Sequence, residues 1–257
     1  MANAMTDTVR VEDAAKVRKI TLNRPDKKNA LTVAMYAVLD DALTTAATDD
    51  AISIVQIGGA GDAFCAGNDI VDFMKAATGN TEGLSPRPAG TFLQTIASFP
   101  KPLIATVNGL AIGIGATMLL HCDYVVASSS ATFQFPFTRL ALVPEAGSSV
   151  LLPARVGAQR ASEWLLFGDR IDADTALRSG LVNAVVPPDA LESAAAARVK
   201  ALTELAIGSL VETKRLLREP NRALVQQAIS RELEAFGLRL GTPEAAAAFA
   251  AFLSRGK

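Results

Sequence analysis

Glu145 stands in the run Phe135-Pro136-Phe137-Thr138-Arg139-Leu140-Ala141-Leu142-Val143-Pro144-Glu145-Ala146-Gly147-Ser148-Ser149, one carboxylate among apolar neighbours with small residues behind it. If Leu142, Val143 and Pro144 are buried, that carboxylate is poorly hydrated, and desolvation raises a carboxyl pKa towards the range useful for moving protons at neutral pH. The same residues also allow a structural role, with Pro144-Glu145 as the first turn of a helix and the acid facing the positive end of its dipole. Two other stretches carry chemistry in their backbones. Phe64-Cys65-Ala66-Gly67-Asn68-Asp69-Ile70 is small and contains glycine ahead of a short helix expected to end near Ala76, which makes its N–H groups candidates for holding an anion. Gly113-Ile114-Gly115-Ala116 leads into a helix expected from Thr117 to Cys122. Close backbone approach and free N–H groups at a helix start make it the better anion hole of the two, and tight packing of helix on sheet is the structural alternative.

Other chemistries are poorly supplied. There is no GxxxxGK[ST] sequence, and the Gly113 region lacks GxGxxG spacing. The one histidine, His121, lies between Leu119-Leu120 and Cys122, where a hydrogen-bonded structural role outweighs catalysis and a Ser-His-Asp triad is not expected. One His and two Cys are too few for a zinc site built on those residues, so no metal is expected. Asp69 and Asp123 fall near helix ends and read as capping or dipole-facing acids.

With 257 residues, half of them hydrophobic, the chain buries a real core, and a formal net charge of -1 gives no general attraction to nucleic acid or anionic membrane. Small molecules and other subunits are the expected partners. Cys65 and Cys122 lie 57 positions apart and read as reduced thiols of a cytoplasmic protein. No basic segment precedes an apolar core at the N-terminus and no apolar run reaches the length of a membrane span, so neither export nor membrane spanning is expected.

The elements that must position these residues follow from periodicity and turn chemistry. Val17 to Leu22 reads as a strand closed by Asn23-Arg24-Pro25-Asp26, Thr32 as the N-cap of a helix to about Ala47, and Ile52 to Ile57 as a buried strand. Thr78 to Ala89 reads as a mobile loop, followed by helix from Thr91 to Ser98 and a buried strand from Leu103 to Val107. Short strands are predicted over Tyr124 to Ala127, Thr132 to Phe135 and Val182 to Val186, with helices over Gln159 to Phe167 and Asp172 to Ser179. After Pro187-Pro188 the pattern is helix almost throughout, giving a core domain over 1–187 and a helical region over 188–257 that packs on the core or makes subunit contacts. The fold class is α/β.

Four ordered motifs carry a resemblance. Asn23-Arg24-Pro25 with Asn29-Ala30-Leu31, Gly61-Asp62-Ala63-Phe64-Cys65-Ala66-Gly67-Asn68-Asp69, Asn108-Gly109-Leu110-Ala111-Ile112-Gly113 and Cys122-Asp123 resemble the crotonase (enoyl-CoA hydratase/isomerase) superfamily. The resemblance implies a spiral of ββα units with a C-terminal helical trimerisation region, a homotrimer or hexamer, and a coenzyme A thioester as substrate with no separate cofactor. It implies an oxyanion hole from the backbone N–H groups of Asn68 and Ile114. Arg24, Lys27 and Lys28 are the candidate coenzyme A cations, and Ala30, Ala66, Gly67, Asp69, Ile70, Gly113 and Phe137 are the expected remainder of the binding surface. The acyl pocket is expected to be walled by the 78–89 loop, Phe92, Phe99 and the tail helices.

The family's hydratases place two glutamates where this chain has Thr117 and Phe137, neither of which delivers a proton to water. The segment through Glu145 instead resembles the Δ3,Δ2-enoyl-CoA isomerases that keep one glutamate there. The expectation is therefore a single-base isomerase with Glu145 as catalytic residue. A hydratase or other crotonase-type lyase is the alternative within enzymes, and a non-catalytic acyl-CoA-binding protein is the alternative of another class.

Overall fold

Strands in this chain alternate between two sheets, and that alternation brings the chemically interesting loops to one place. The computed structural model describes residues 7–72 and 87–255. Among them ten strands form: β1 (Val9–Ala14), β2 (Val17–Leu22), β3 (Ile54–Gly59), β4 (Ala63–Cys65), β5 (Leu103–Val107), β6 (Leu110–Ile112), β7 (Tyr124–Ser128), β8 (Thr132–Gln134), β9 (Ile171–Asp172) and β10 (Ala184–Val186). The larger sheet has the order β1-β2-β3-β5-β7-β10 and the smaller one β4-β6-β8-β9. Only the β1–β2 and β8–β9 pairs are antiparallel. Strands β3 and β5 are buried almost throughout, which is why both read as unbroken apolar runs, as parallel strands covered on two faces do.

The helices are α1 (Val33–Thr48), α2 (Arg87–Ser98), α3 (Ile114–Thr117), α4 (Ser148–Val156), α5 (Ala158–Phe167), α6 (Ala173–Arg178), α7 (Leu191–Thr203), α8 (Ile207–Arg218), α9 (Arg222–Leu240) and α10 (Pro243–Arg255). From β3 to β8 the chain repeats one motif: a strand in the large sheet, a strand in the small sheet, then helix. This is the expected ββα spiral. Thr32 caps α1 as predicted, its hydroxyl accepting from Met35 N–H.

Three expectations are corrected. The helix placed at Thr117 to Cys122 starts earlier, at Ile114, and tightens to 3₁₀ over Met118–His121. Residues 87–89, assigned to the loop, open α2, and the rest of that loop and the end of the helix expected to reach Ala76 lie outside the described residues. Pro144-Glu145 is not a first helical turn, because α4 begins at Ser148 behind an N-cap Gly147. Strands β4 and β6 escaped notice because three residues are too few to show a period of two.

Residues 188–255 lie on the core. Helix α9 packs on α2 and α4, and α10 packs on α9 and on the 3₁₀ turn Thr138–Leu140. No described helix is long and apolar enough to cross a membrane.

Candidate active site

The small sheet sets the site. Strands β4, β6 and β8 are parallel neighbours, so their C-terminal ends share one edge, and ligands of such sheets bind in the crevice beyond that edge. The chain leaves β4 into Asn68, β6 into Ile114, and β8 into the segment that carries Phe137 and Glu145.

Each backbone donor follows a glycine that only glycine conformation permits. Gly67 has φ +101 and Gly113 has φ +57 with ψ -121, turns that rotate the next N–H away from its own strand. The two glycines are neighbours, since a Cβ on Gly113 would lie 3.9 Å from the Gly67 Cα. The parallel bridge between Leu31 and Asn68 uses the Gly67 carbonyl and the Asp69 N–H, leaving the Asn68 N–H outside it. Ile114 is the first residue of α3, whose N–H has no partner within the helix. Gly115 lets α3 lie on β4, for a Cβ there would come within 2.4 Å of the Cys65 carbonyl. Tight packing of helix on sheet and a helix-start N–H without an intrahelical partner therefore coexist in this segment.

The first loop is the platform for the Asn68 loop. Asn29 is fully buried with φ +58, and its amide donates to the carbonyls of Ala60 and Ala63 at 2.9 and 2.7 Å. Ala66 N–H donates to the Lys28 carbonyl and Leu31 N–H to that of Gly67. Arg24 donates to the Ala30 carbonyl and to Asp69, whose other oxygen accepts from the N–H groups of Val71 and Asp72. Asp69 is therefore the capping acid expected, and Arg24 is tied to it. Lys28 forms a surface pair with Asp62. The Asn68 side chain accepts a 2.5 Å hydrogen bond from the Tyr36 hydroxyl, a partner not singled out from sequence.

A cavity of about 720 Å³ opens onto the donor pair. Of the candidate binding residues, Ala66, Gly67, Asn68, Ile70, Gly113, Ile114 and Phe137 line it, whereas Arg24, Lys27, Lys28, Ala30 and Asp69 do not. Its apolar walls include Leu142, Phe236, Phe249 and Phe252, the last three from α9 and α10. Phe92 and Phe99, expected as walls, are core residues: Phe92 packs on the Tyr36 ring, and Phe99 faces the Lys214 ammonium.

Glu145 is 6% exposed and is not itself among the residues lining the cavity, although Leu142, three positions before it, is. Thr117, one turn along α3 from Ile114, lies 3.4 Å from its carboxylate through the hydroxyl and 3.5 Å from the Ile114 carbonyl. Burial, then the nearby charge of Glu232, raises the Glu145 pKa to about 7 against the weaker opposing pull of Thr117. Burial first, with a smaller contribution from the Glu145 charge, raises Tyr36 and Cys65. His121 is buried and kept neutral by desolvation, its pKa lowered to about 4, and its Nε2–H donates to the Ala146 carbonyl at 2.7 Å. The structural role expected for it is the one found. Among the described residues no cluster of His, Cys, Asp or Glu is arranged to hold a metal.

The ββα spiral thus brings two glycine-led loops and the segment carrying one poorly hydrated carboxyl to a common strand edge. Residues 12–257 match the family model described as Enoyl-CoA hydratase/isomerase, and the chain belongs to that family, the crotonase superfamily. Enoyl-CoA delta isomerase 2 of Rattus norvegicus is 38% identical over 241 residues, 93% of this chain and 61% of the relative, so this chain spans less than two thirds of that protein. The 2,3-dehydroadipyl-CoA hydratase of Escherichia coli is 35% identical over 243 residues, 93% of each. A crystal structure of an enoyl-CoA hydratase/isomerase from Pseudoalteromonas atlantica superposes with a TM-score of 0.90 at 40% identity, covering 96% of this chain and 97% of that one.

Proposed function

We propose that this chain is a Δ3,Δ2-enoyl-CoA isomerase with Glu145 as its single base. The thioester carbonyl of a 3-enoyl-CoA sits between the N–H groups of Asn68 and Ile114. Glu145 removes a proton from C2, the electron pair delocalises onto the carbonyl oxygen as a dienolate, and the protonated Glu145 returns the proton at C4. The double bond moves from C3–C4 to C2–C3, with no net change in atoms or charge. Each preorganised donor contributes on the order of 3 to 4 kcal/mol to holding the oxyanion. Arg24, Lys27 and Lys28 remain the candidates for the coenzyme A phosphates, with a homotrimer or hexamer in the cytoplasm as the working form.

The observation that carries this reading is a buried carboxyl, its pKa raised to about 7, held by the Thr117 hydroxyl at the α3 turn, with Thr117 and Phe137 where a two-acid hydratase needs its glutamates. The cavity's own acid, Asp169, is exposed and paired with Arg139. The likeness to a hydratase favours a second reading, water addition across a 2-enoyl-CoA. Parallel turnover assays on 3-enoyl-CoA and 2-enoyl-CoA thioesters, with Glu145→Gln as control, separate them. Isomerisation lost in Glu145→Gln is the expected result, and 3-hydroxyacyl-CoA formed at a comparable rate would replace the isomerase reading. Stabilisation by acyl-CoA without any product would point to a binding protein instead.

A further inference from the structure

Glu145, Ala146 and Gly147 form an unusual turn. Ala146 has φ +59 and Gly147 φ +72, two successive left-handed residues, of which the alanine alone costs roughly 1 to 2 kcal/mol. Such a conformation persists only where the surroundings over-determine it. Two distant side chains do so. His121 fixes the Ala146 carbonyl. Glu232, a buried residue of α9, accepts from Gly147 N–H at 2.6 Å, from Ser149 N–H at 2.9 Å and from the Ser149 hydroxyl.

Resting on the isomerase reading, we propose that Glu232 is the positioning residue of the catalytic base: it fastens the turn that carries Glu145 and places a fixed negative charge behind it. The end of α4 alone would be served by any small capping side chain, whereas a buried carboxylate beside a second buried carboxyl is electrostatically costly unless it has a use. The use follows from the direction of proton flow. Before reaction two carboxylates repel one another; after Glu145 takes the C2 proton it is neutral, and the negative charge has moved to the oxyanion hole. The repulsion is present in the ground state and relieved towards the transition state, which is where binding energy accelerates a reaction. The other groups near Glu145 do not supply this charge. Thr117 on α3 donates to it, Tyr36 on α1 and Cys65 on β4 are held in their neutral forms by burial, and His121 is neutral.

The test is a carboxyl ¹³C NMR titration of Glu145 in the full-length protein, assigned with Glu145→Gln, in the parent, Glu232→Gln and Glu232→Asp. A Glu145 midpoint lower by about one pH unit in Glu232→Gln, and near the parent value in Glu232→Asp, supports the proposal. The acid limb of kcat/KM for 3-enoyl-CoA should move with it, and kcat should fall about tenfold with KM changed less than about twofold. An unmoved midpoint in Glu232→Gln, with a lowered melting temperature only, would reduce Glu232 to a helix cap and overturn the proposal. Because the titration does not require turnover, a parent protein inactive on 3-enoyl-CoA would count against the isomerase reading and leave the charge coupling separately readable.

Discussion

The donor half and the base half of this site are built on opposite plans. In the proposed reaction Asn68 and Ile114 act through their backbones, each set by a glycine just before it and by packing between adjacent strands. Glu145 would act through its side chain, in a turn held by residues far along the chain, His121 at the Ala146 carbonyl and Glu232 at the Gly147 N–H. A main-chain donor tolerates a change of its own side chain but not of the glycine that aims it. A side-chain base tolerates no change of its own, and responds to charges that sequence neighbours do not reveal.

The comparison can be broken most sharply at the base itself. Glu145→Gln should lower kcat for 3-enoyl-CoA by on the order of 10³-fold or more while acyl-CoA affinity, measured by calorimetry, stays within a few-fold. Equal loss of affinity would mean that Glu145 holds substrate rather than moving a proton. On the donor half, Gly113→Ala puts a side chain on a residue at φ +57 and ψ -121, a conformation reserved for glycine, and should cost about 10²-fold in kcat by tilting the Ile114 N–H. Full activity there would remove Ile114 from the oxyanion hole.

A stability measurement sharpens the contrast further. Glu145 is raised from 4.5 to about 7, so between those values the native chain keeps a proton that the unfolded chain has released. Stability therefore falls as pH rises through that window, and above it the buried charge costs on the order of 3 kcal/mol. Glu145→Gln should melt higher than the parent at pH 8.5, with the difference closing towards pH 4.5. A constant offset at all pH values would show that the carboxyl is not the cause. The smallest effect is expected from Asn68→Ala, which loses the bond to Tyr36 but keeps its N–H. Activity within about tenfold of the parent is the expected outcome, and a loss as large as that of Gly113→Ala would make the side chain a participant.

The legible parts were those with local causes. Glycine at positions 67 and 113 signals backbone conformations that other residues resist, and the apolar run before Glu145 announces burial. Thr32 as a cap, the apolar runs of β3 and β5 and the tail helices rest on periodicity within one element. Glu232 was not legible, because in sequence it is one of several acids on a long helix, and nothing local distinguishes the one that turns inward. Tyr36 and the cavity wall of Phe236, Phe249 and Phe252 were hidden for the same reason. The first-loop cations were legible as charges, but their pairing with Asp62 and Asp69 was not.

The amino-acid sequence by itself determined the groups on which the proposed reaction draws: one glutamate in an apolar setting, two glycine-led backbone N–H groups, and no carboxyl at residues 117 and 137. Those are properties of residue type and of neighbours within a few positions, where chain connectivity already constrains geometry. Only the tertiary structure decided that β4, β6 and β8 end side by side, so that the loops carrying Asn68, Ile114 and Glu145 leave one edge, and that α9 returns to bond Glu232 to the turn after Glu145. Electrostatic coupling depends on distance through space and on exclusion of water, and both are set by how distant segments pack.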